Sequence, residues 1–146
     1  MANYCCATRT NYFRVKEPEA FKKFMNNVYT DEGDLDVWEE EKDGHTVFGF
    51  GGYCQILGMP IYTDTNNNDY PDDFDYDEFI NGLADHVADD DAVIVLESGN
   101  EKLRYVVGSA LVVTSKDSRY LEISALAANA AAEMLDNSNW KTQLSY

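Results

Sequence analysis

Around the dipeptide Asp43-Gly44 the chain alternates between apolar and polar positions, and this is its sharpest local signal. Leu35–Glu41 and Val47–Ile56 read as two strands, and Asp-Gly supplies the two positive-φ positions that a tight hairpin turn requires. Upstream, Cys5 to Val15 contains the strand formers Thr8, Thr10, Tyr12 and Phe13 and predicts a first strand. Pro18 suits a first helical turn, and Phe21, Phe24, Met25 and Val28 recur at helical spacing, so a helix is expected to about Tyr29 with its apolar face on a sheet.

Residues 58–74 hold Pro60, three successive asparagines and Pro71, which predict a long acidic loop. Asp75 and Glu78 then form a capping arrangement ahead of Phe79, Ile80, Leu83 and Val87, the face of a second helix ending near Ala88. Ala92–Glu97 and Leu103–Thr114 are apolar on successive residues, the mark of strands covered on both faces, with a turn expected at Gly99-Asn100. A short strand at Tyr120–Ile123, a third helix over Ala125–Leu135 capped by Ser124, and a polar tail over 137–146 complete the chain. This order predicts an α+β domain: a mainly antiparallel sheet, three helices and a ferredoxin-like βαββαβ core with C-terminal additions. Gly49-Phe50-Gly51-Gly52 falls inside a strand and reads as a bent or closely approached segment, not a dinucleotide loop.

A chain of 146 residues that is 45% hydrophobic and 13% aromatic can bury one core, so a single domain over 1–146 is expected. No apolar run approaches the ~18 residues that span a bilayer, and Met1-Ala2-Asn3-Tyr4 has no signal-peptide character. The three cysteines, Cys5, Cys6 and Cys54, are odd in number and fit a reducing cytoplasm better than a disulfide framework. With His45 and His86 they show no zinc spacing.

Charge narrows the partners. Asp and Glu number 27 against 11 Lys and Arg, a net charge of -16, which repels nucleic acid and anionic membrane and attracts basic surfaces. Of the acids, 8 lie between Asp31 and Asp43 and 11 between Asp64 and Asp91, segments whose one basic residue is Lys42. Alternation puts Asp34, Asp36, Trp38 and Glu40 on one strand face, an aromatic anchor within steering charge, unless a bulge turns Trp38 inward. Asp72, Asp73, Asp75, Asp77 and Asp89, Asp90 and Asp91 flank the second helix, and the two acidic regions are candidates for one merged surface. Duplex DNA carries one charge per ~1.7 Å of axis, so this net charge corresponds to about 27 Å of duplex, the dimension of a domain. A nucleic-acid mimic follows as the leading expectation, with simple solubility as the alternative.

In size, acidity and clustered carboxylates the chain resembles the small counter-defence proteins of phages and mobile elements, the anti-CRISPR and antirestriction inhibitors. Its opening, Asn3-Tyr4-Cys5-Cys6 through Thr10-Asn11-Tyr12-Phe13, is similar to proteins from such elements. The resemblance implies a cytoplasmic inhibitor, not an enzyme and needing no cofactor, that blocks the DNA- or RNA-binding groove of a prokaryotic defence nuclease. It carries no residue-level correspondence.

Two other classes remain open. Asp64, Asn66 and Asn68 supply oxygens at the first, third and fifth positions of an EF-hand-like loop, with Asp75 at the twelfth; Asp69 replaces the usual glycine, so a calcium site here would be irregular. Homodimer formation is supported by the two strongly apolar strands and by Trp140, Leu144 and Tyr146 in the tail. His45 and His86 read as surface residues, and no nucleophile elbow, phosphate loop or zinc-protease motif is present.

Overall fold

A computed structural model of the chain describes residues 4–63 and 70–144. Their order is β1 (Cys5–Thr10), α1 (Pro18–Asn26), β2 (Tyr29–Thr30), β3 (Asp36–Lys42), β4 (His45–Gly52), β5 (Ile56–Ile61), β6 (Asp73–Asp75), α2 (Tyr76–His86), β7 (Val93–Glu101), β8 (Tyr105–Val113), β9 (Ser118–Glu122) and α3 (Ile123–Met134). The domain is α+β. Its main sheet has the order β3-β4-β1-β7-β8-β9, with every neighbouring pair antiparallel, and β2-β5-β6 form a second, smaller sheet.

The local chemistry explains the strongest of these elements. Lys42 pairs with His45 across Asp43 and Gly44, whose φ angles of 51° and 80° give the positive-φ turn that matches strand twist. Pro18 opens α1, and the Asp75 carboxylate accepts the backbone N–H of Glu78 at 3.0 Å to cap α2. Both helices lie on one face of the main sheet. There Phe21 and Met25 of α1 and Phe79 and Leu83 of α2 meet Phe48 and Phe50 of β4, Val93 and Val95 of β7, and Leu111 and Val113 of β8. Phe13 ties the layers together: its backbone exchanges hydrogen bonds with Phe48 at 2.9 and 2.8 Å, and its ring meets Phe21 and Phe50 edge-on at 5.5 and 6.1 Å. Such ring pairs each add about 0.5–1.5 kcal/mol beyond area burial.

Several sequence expectations are corrected. The stretch 58–74 is not one loop, because Gly58–Ile61 continue β5 and Asp73–Asp75 form β6. Pro60 is tolerated in β5 because β2 pairs only with Ile56 and Gly58, so at Pro60 the strand has a neighbour on one side alone, as an edge strand does. The first strand stops at Thr10, after which Phe13 and Val15 make single bridges to Phe48 and Val87. Strand β7 runs through Gly99 and Asn100 to Glu101, and the turn falls at Lys102–Arg104. Ser124 lies inside α3, whose preceding residue Glu122 provides no side-chain cap.

Strand β7 is covered on one face only. Val95 is 5% exposed whereas its neighbour Leu96 is 52% exposed, and Ile94 is also exposed. On β8 the outer positions Gly108, Ala110 and Val112 are half-buried, and Ile123 of α3 packs over Gly108.

Gly82 shows how closely α1 and α2 approach. A Cβ there would overlap the edge of the Phe24 ring, which stacks on Phe79 at 6.2 Å and lies 5.1 Å from the His86 ring. An exposed helical Gly→Ala change gains about 1 kcal/mol. Here Gly82→Ala is expected to lose about 1–3 kcal/mol through overpacking. Urea unfolding decides the sign, and a raised midpoint would mean that the Phe24 ring yields freely.

Candidate docking face

Strand β4 builds two surfaces at once. Its phenylalanines point inward while Gly49 and Gly51 point outward, and their missing side chains let large groups lie flat against the sheet. The Tyr12 ring would lie 3.3 Å from a Cβ at Gly49, and a Cβ at Gly51 would overlap the Thr8 carbonyl and press on Arg9. Regular pairing of Asp36 with Gly51, Trp38 with Gly49 and Glu40 with Val47 puts these three β3 residues on the same outer face. The alternation expected for Trp38 is therefore observed, with no register shift between β3 and β4.

Across these glycines runs a layer of rings and cations. The Arg9 guanidinium lies 4.6 Å from the Trp38 ring centroid and 5.8 Å from that of Tyr12, and Lys42 Nζ lies 4.1 Å from Tyr12 on its other flank. Tyr12 Oη donates to Glu40 Oε1 at 3.1 Å. Beside this layer is a cleft of about 490 Å³ lined by Arg9, Asp34, Asp36, Trp38, Gly52 and Tyr53 among others. The Asp34 carbonyl approaches Gly52 so closely that no larger residue fits, which fixes the segment carrying Asp34 against the end of β4. Among the described residues neither Asp34 nor Asp36 forms an ion pair.

The remaining predicted acids have other occupations. Asp90 Oδ1 receives Arg14 Nη2 at 2.8 Å, Asp91 Oδ2 accepts the Arg14 backbone N–H at 2.9 Å, and Asp89 lies 3.3 Å from Lys16 Nζ. These contacts fasten the segment after β1 to the α2–β7 connection and neutralise part of its charge. Asp72 Oδ2 accepts from the Thr63 hydroxyl at 2.6 Å and from its N–H at 2.8 Å, while Asp73 bonds the next N–H and Asp75 caps α2. Asp77 is an exposed acid in the first turn of α2, where the helix N-terminus favours it.

The acids at the two ends of β5 stand apart. Asp31 binds the Gln55 N–H at the entry to β5, and Asp73 pairs with Ile61 at its far end, so the two groups are separated by most of that strand. Six extended residues span about 17 Å between first and last.

Of the calcium candidates, Asp64, Asn66 and Asn68 lie outside the described residues, and Asp75 uses one oxygen as the α2 cap. Among the described residues no cluster of metal-ligating side chains occurs. His86 is not a free surface group: its ring packs against Phe21 and Phe24. Among the described residues no helix is long and apolar enough to cross a membrane. Burial, followed by the Glu97 charge, pushes the Cys6 thiol up to about 11, and burial pushes the Tyr76 hydroxyl up to about 12, so both groups are protonated at neutral pH.

Sequence reasoning identified Trp38 and its acidic neighbours but missed Arg9, Tyr12 and Tyr53. The outward glycines were the available signal, since a strand that is closely approached needs something to approach it. No protein-family model, curated protein or solved structure matches the chain.

The hydrogen bond and charge of Arg14 hold the Asp90 carboxyl below its usual range, and Lys16 does the same for Asp89. For a depressed carboxylate the stabilisation is complete above the ordinary carboxylate range and disappears as pH falls through the folded-state value. Arg14→Gln is expected to return Asp90 to the ordinary range while Asp89 stays low, read by NMR titration of the carboxyl carbons. An unchanged Asp90 would show that the ion pair does not form in solution.

Proposed function

We propose that this chain is a non-enzymatic acidic binding protein that occupies the basic nucleic-acid groove of another protein, most specifically a prokaryotic defence nuclease met in the cytoplasm. The observation that carries this reading is Trp38 flanked by Asp34, Asp36 and Glu40 on a sheet face that neither α1 nor α2 covers. Among the described residues none of these three carboxylates forms an ion pair, so no cation of the chain neutralises their charge at contact distance. A half-buried indole surrounded by such charge has the composition of an interface hot spot: acids accelerate encounter, and the ring supplies contact area at little entropic loss. The net charge of -16 supports the same direction of binding and disfavours direct contact with nucleic acid. The resemblance to phage and mobile-element inhibitors supplies the class of target.

The proposed surface leaves out acids that the fold already uses. Asp89, Asp90 and Asp91 are held by Arg14 and Lys16 and contribute to the fold, and the Asp72–Asp77 group serves steering from a separate site. The test is capture from nuclease-treated bacterial lysate, with wild-type protein compared with Asp34→Asn/Asp36→Asn/Glu40→Gln. A nucleic-acid enzyme should be retained by wild type, released by added duplex DNA or by salt, and retained at least about tenfold less by the variant. Retention unaffected by DNA, or equal for both proteins, would remove mimicry through this face.

A different observation favours a second reading, self-association. Helix α3 carries one charge in 12 residues and fully buries none of them, and Leu126 and Met134, with Leu135 just after the helix, are exposed, Met134 to 86%. Only an uncharged surface allows two copies of so acidic a chain to meet. Sedimentation equilibrium should show a dimer that Leu126→Glu/Met134→Glu converts to monomer, whereas a monomeric wild-type protein would exclude this reading.

A further inference from the structure

We infer that the cleft beside Trp38 is a receptor for a single guanidinium group, an arginine side chain presented by the partner protein. This rests on the proposed function and specifies how its contact is made. Three properties of the cleft point to that chemistry.

The first is charge. Arg9 is the one cation among the residues that line it, against the two carboxylates Asp34 and Asp36, so one further positive charge balances the site. The second is shape. A volume of about 490 Å³ falls within the range of small-ligand sites, and Trp38 and Tyr53 line it together with the two carboxylates. The third is the aromatic frame. Trp38 lines the cleft with the Arg9 guanidinium already over its ring at 4.6 Å, so an incoming guanidinium would meet the part of the indole that Arg9 leaves open. Tyr53 lines the same cleft and is 90% exposed, a large ring left without packing on the domain.

Arginine fits these features better than lysine. Its planar fork can meet two carboxylate oxygens and stack on a ring at once, whereas an ammonium is a strongly hydrated point charge that does not stack. A nucleic-acid groove is built largely of arginine and lysine, so a partner of the proposed class offers this group on its surface. Phosphate and nucleotide ligands are disfavoured by the two carboxylates. The Asp34-Asp36 pair would then set where on the groove the domain docks, and the remaining acids would set how fast it arrives.

The test uses the full chain with Trp140→Phe, which leaves Trp38 as the one tryptophan, and titrates N-acetyl-arginine amide against its emission. A saturable change is expected, with N-acetyl-lysine amide at least about fivefold weaker. Asp34→Asn/Asp36→Asn should weaken arginine binding about tenfold, as expected for the loss of charge-assisted hydrogen bonds. Asp72→Asn/Asp73→Asn should leave it unchanged and controls for general attraction to an acidic protein. Both aspartates of the cleft are exposed, and thermal unfolding of the asparagine variant checks that the fold is kept. A linear response without saturation, equal response to the lysine compound, or binding unchanged by the Asp34/Asp36 variant would each overturn the assignment. The two proposals fail separately. Capture of a nucleic-acid enzyme without arginine-amide binding would retain the partner class and discard the cleft, while arginine-amide binding without such capture would retain the cleft and discard nucleic-acid mimicry.

Discussion

Large and null side chains alternate along β4, and the rest of the molecule is arranged on that contrast. A strand offers its two faces to successive residues, so Phe48 and Phe50 must share one side and Gly49 and Gly51 the other. The phenylalanines bring α1, α2 and Phe13 onto the inner face and form the middle of the core. The glycines do the reverse on the outer face, since nothing rises from the sheet and Trp38, Arg9 and Tyr12 settle onto bare backbone. A larger residue at Gly51 would collide with the backbone of β1 as well as with Arg9, so this position also sets the spacing of β1 and β4. Core and candidate site thus depend on one short segment.

The acids of β3 admit a plain structural purpose, and the geometry separates it from a binding role. As an edge strand of the main sheet, β3 exposes unpaired backbone groups, and Glu39, Glu40 and Glu41 discourage pairing with another chain. Edge protection is served by charge on either face. Glu39 fits that duty, pairing with Lys22 of α1 at 2.7 Å. Asp34 and Asp36 do not need to line a cleft with a tryptophan to protect an edge, and Asp34 lies ahead of the strand altogether. Their placement is what general acidity leaves unexplained.

Much of the fold was legible because local signals agreed with one another. Asp43-Gly44 fixed the hairpin, Asp75 with Glu78 fixed the start of α2, and the helical spacing of Phe21, Met25, Phe79 and Leu83 found the core faces of both helices. What escaped depended on tertiary context. Strands β5 and β6 are short, contain or adjoin proline, and exist because they pair with each other and with β2, which no local pattern announces. The apolar runs of β7 and β8 predicted two covered faces; the outer face is open at Ile94 and Leu96 of β7 and partly covered by α3 at Gly108 of β8, a distinction that hydrophobicity alone does not make. At the site, period-2 alternation correctly grouped Asp36, Trp38 and Glu40, but Arg9 and Tyr53 join them from β1 and the end of β4 through sheet order, which the strand's own sequence does not contain.

The separation of the acidic groups decides what each does on approach to a basic surface. Charges about 17 Å apart along β5 are beyond the screening length of roughly 8 Å at physiological ionic strength, so at contact each group acts on its own neighbourhood. On the proposed reading the whole net charge orients and accelerates the encounter at long range, before contact; at short range Asp34, Asp36 and Glu40 accompany the Trp38 ring. A partner held mainly by long-range charge dissociates readily as salt rises, and its affinity is spread across many acids. A partner held at the Trp38 cleft owes its lifetime to a few desolvated contacts, because stacking and short charge-assisted hydrogen bonds in a recess are screened less than exposed pairs. The paired state of Asp89 to Asp91 adds to this division, since an acid already satisfied by Arg14 or Lys16 must give up that contact before it can serve a partner. On the proposed reading, binding speed follows from the composition of the chain, and binding specificity from the outer face of β3, β4 and β1.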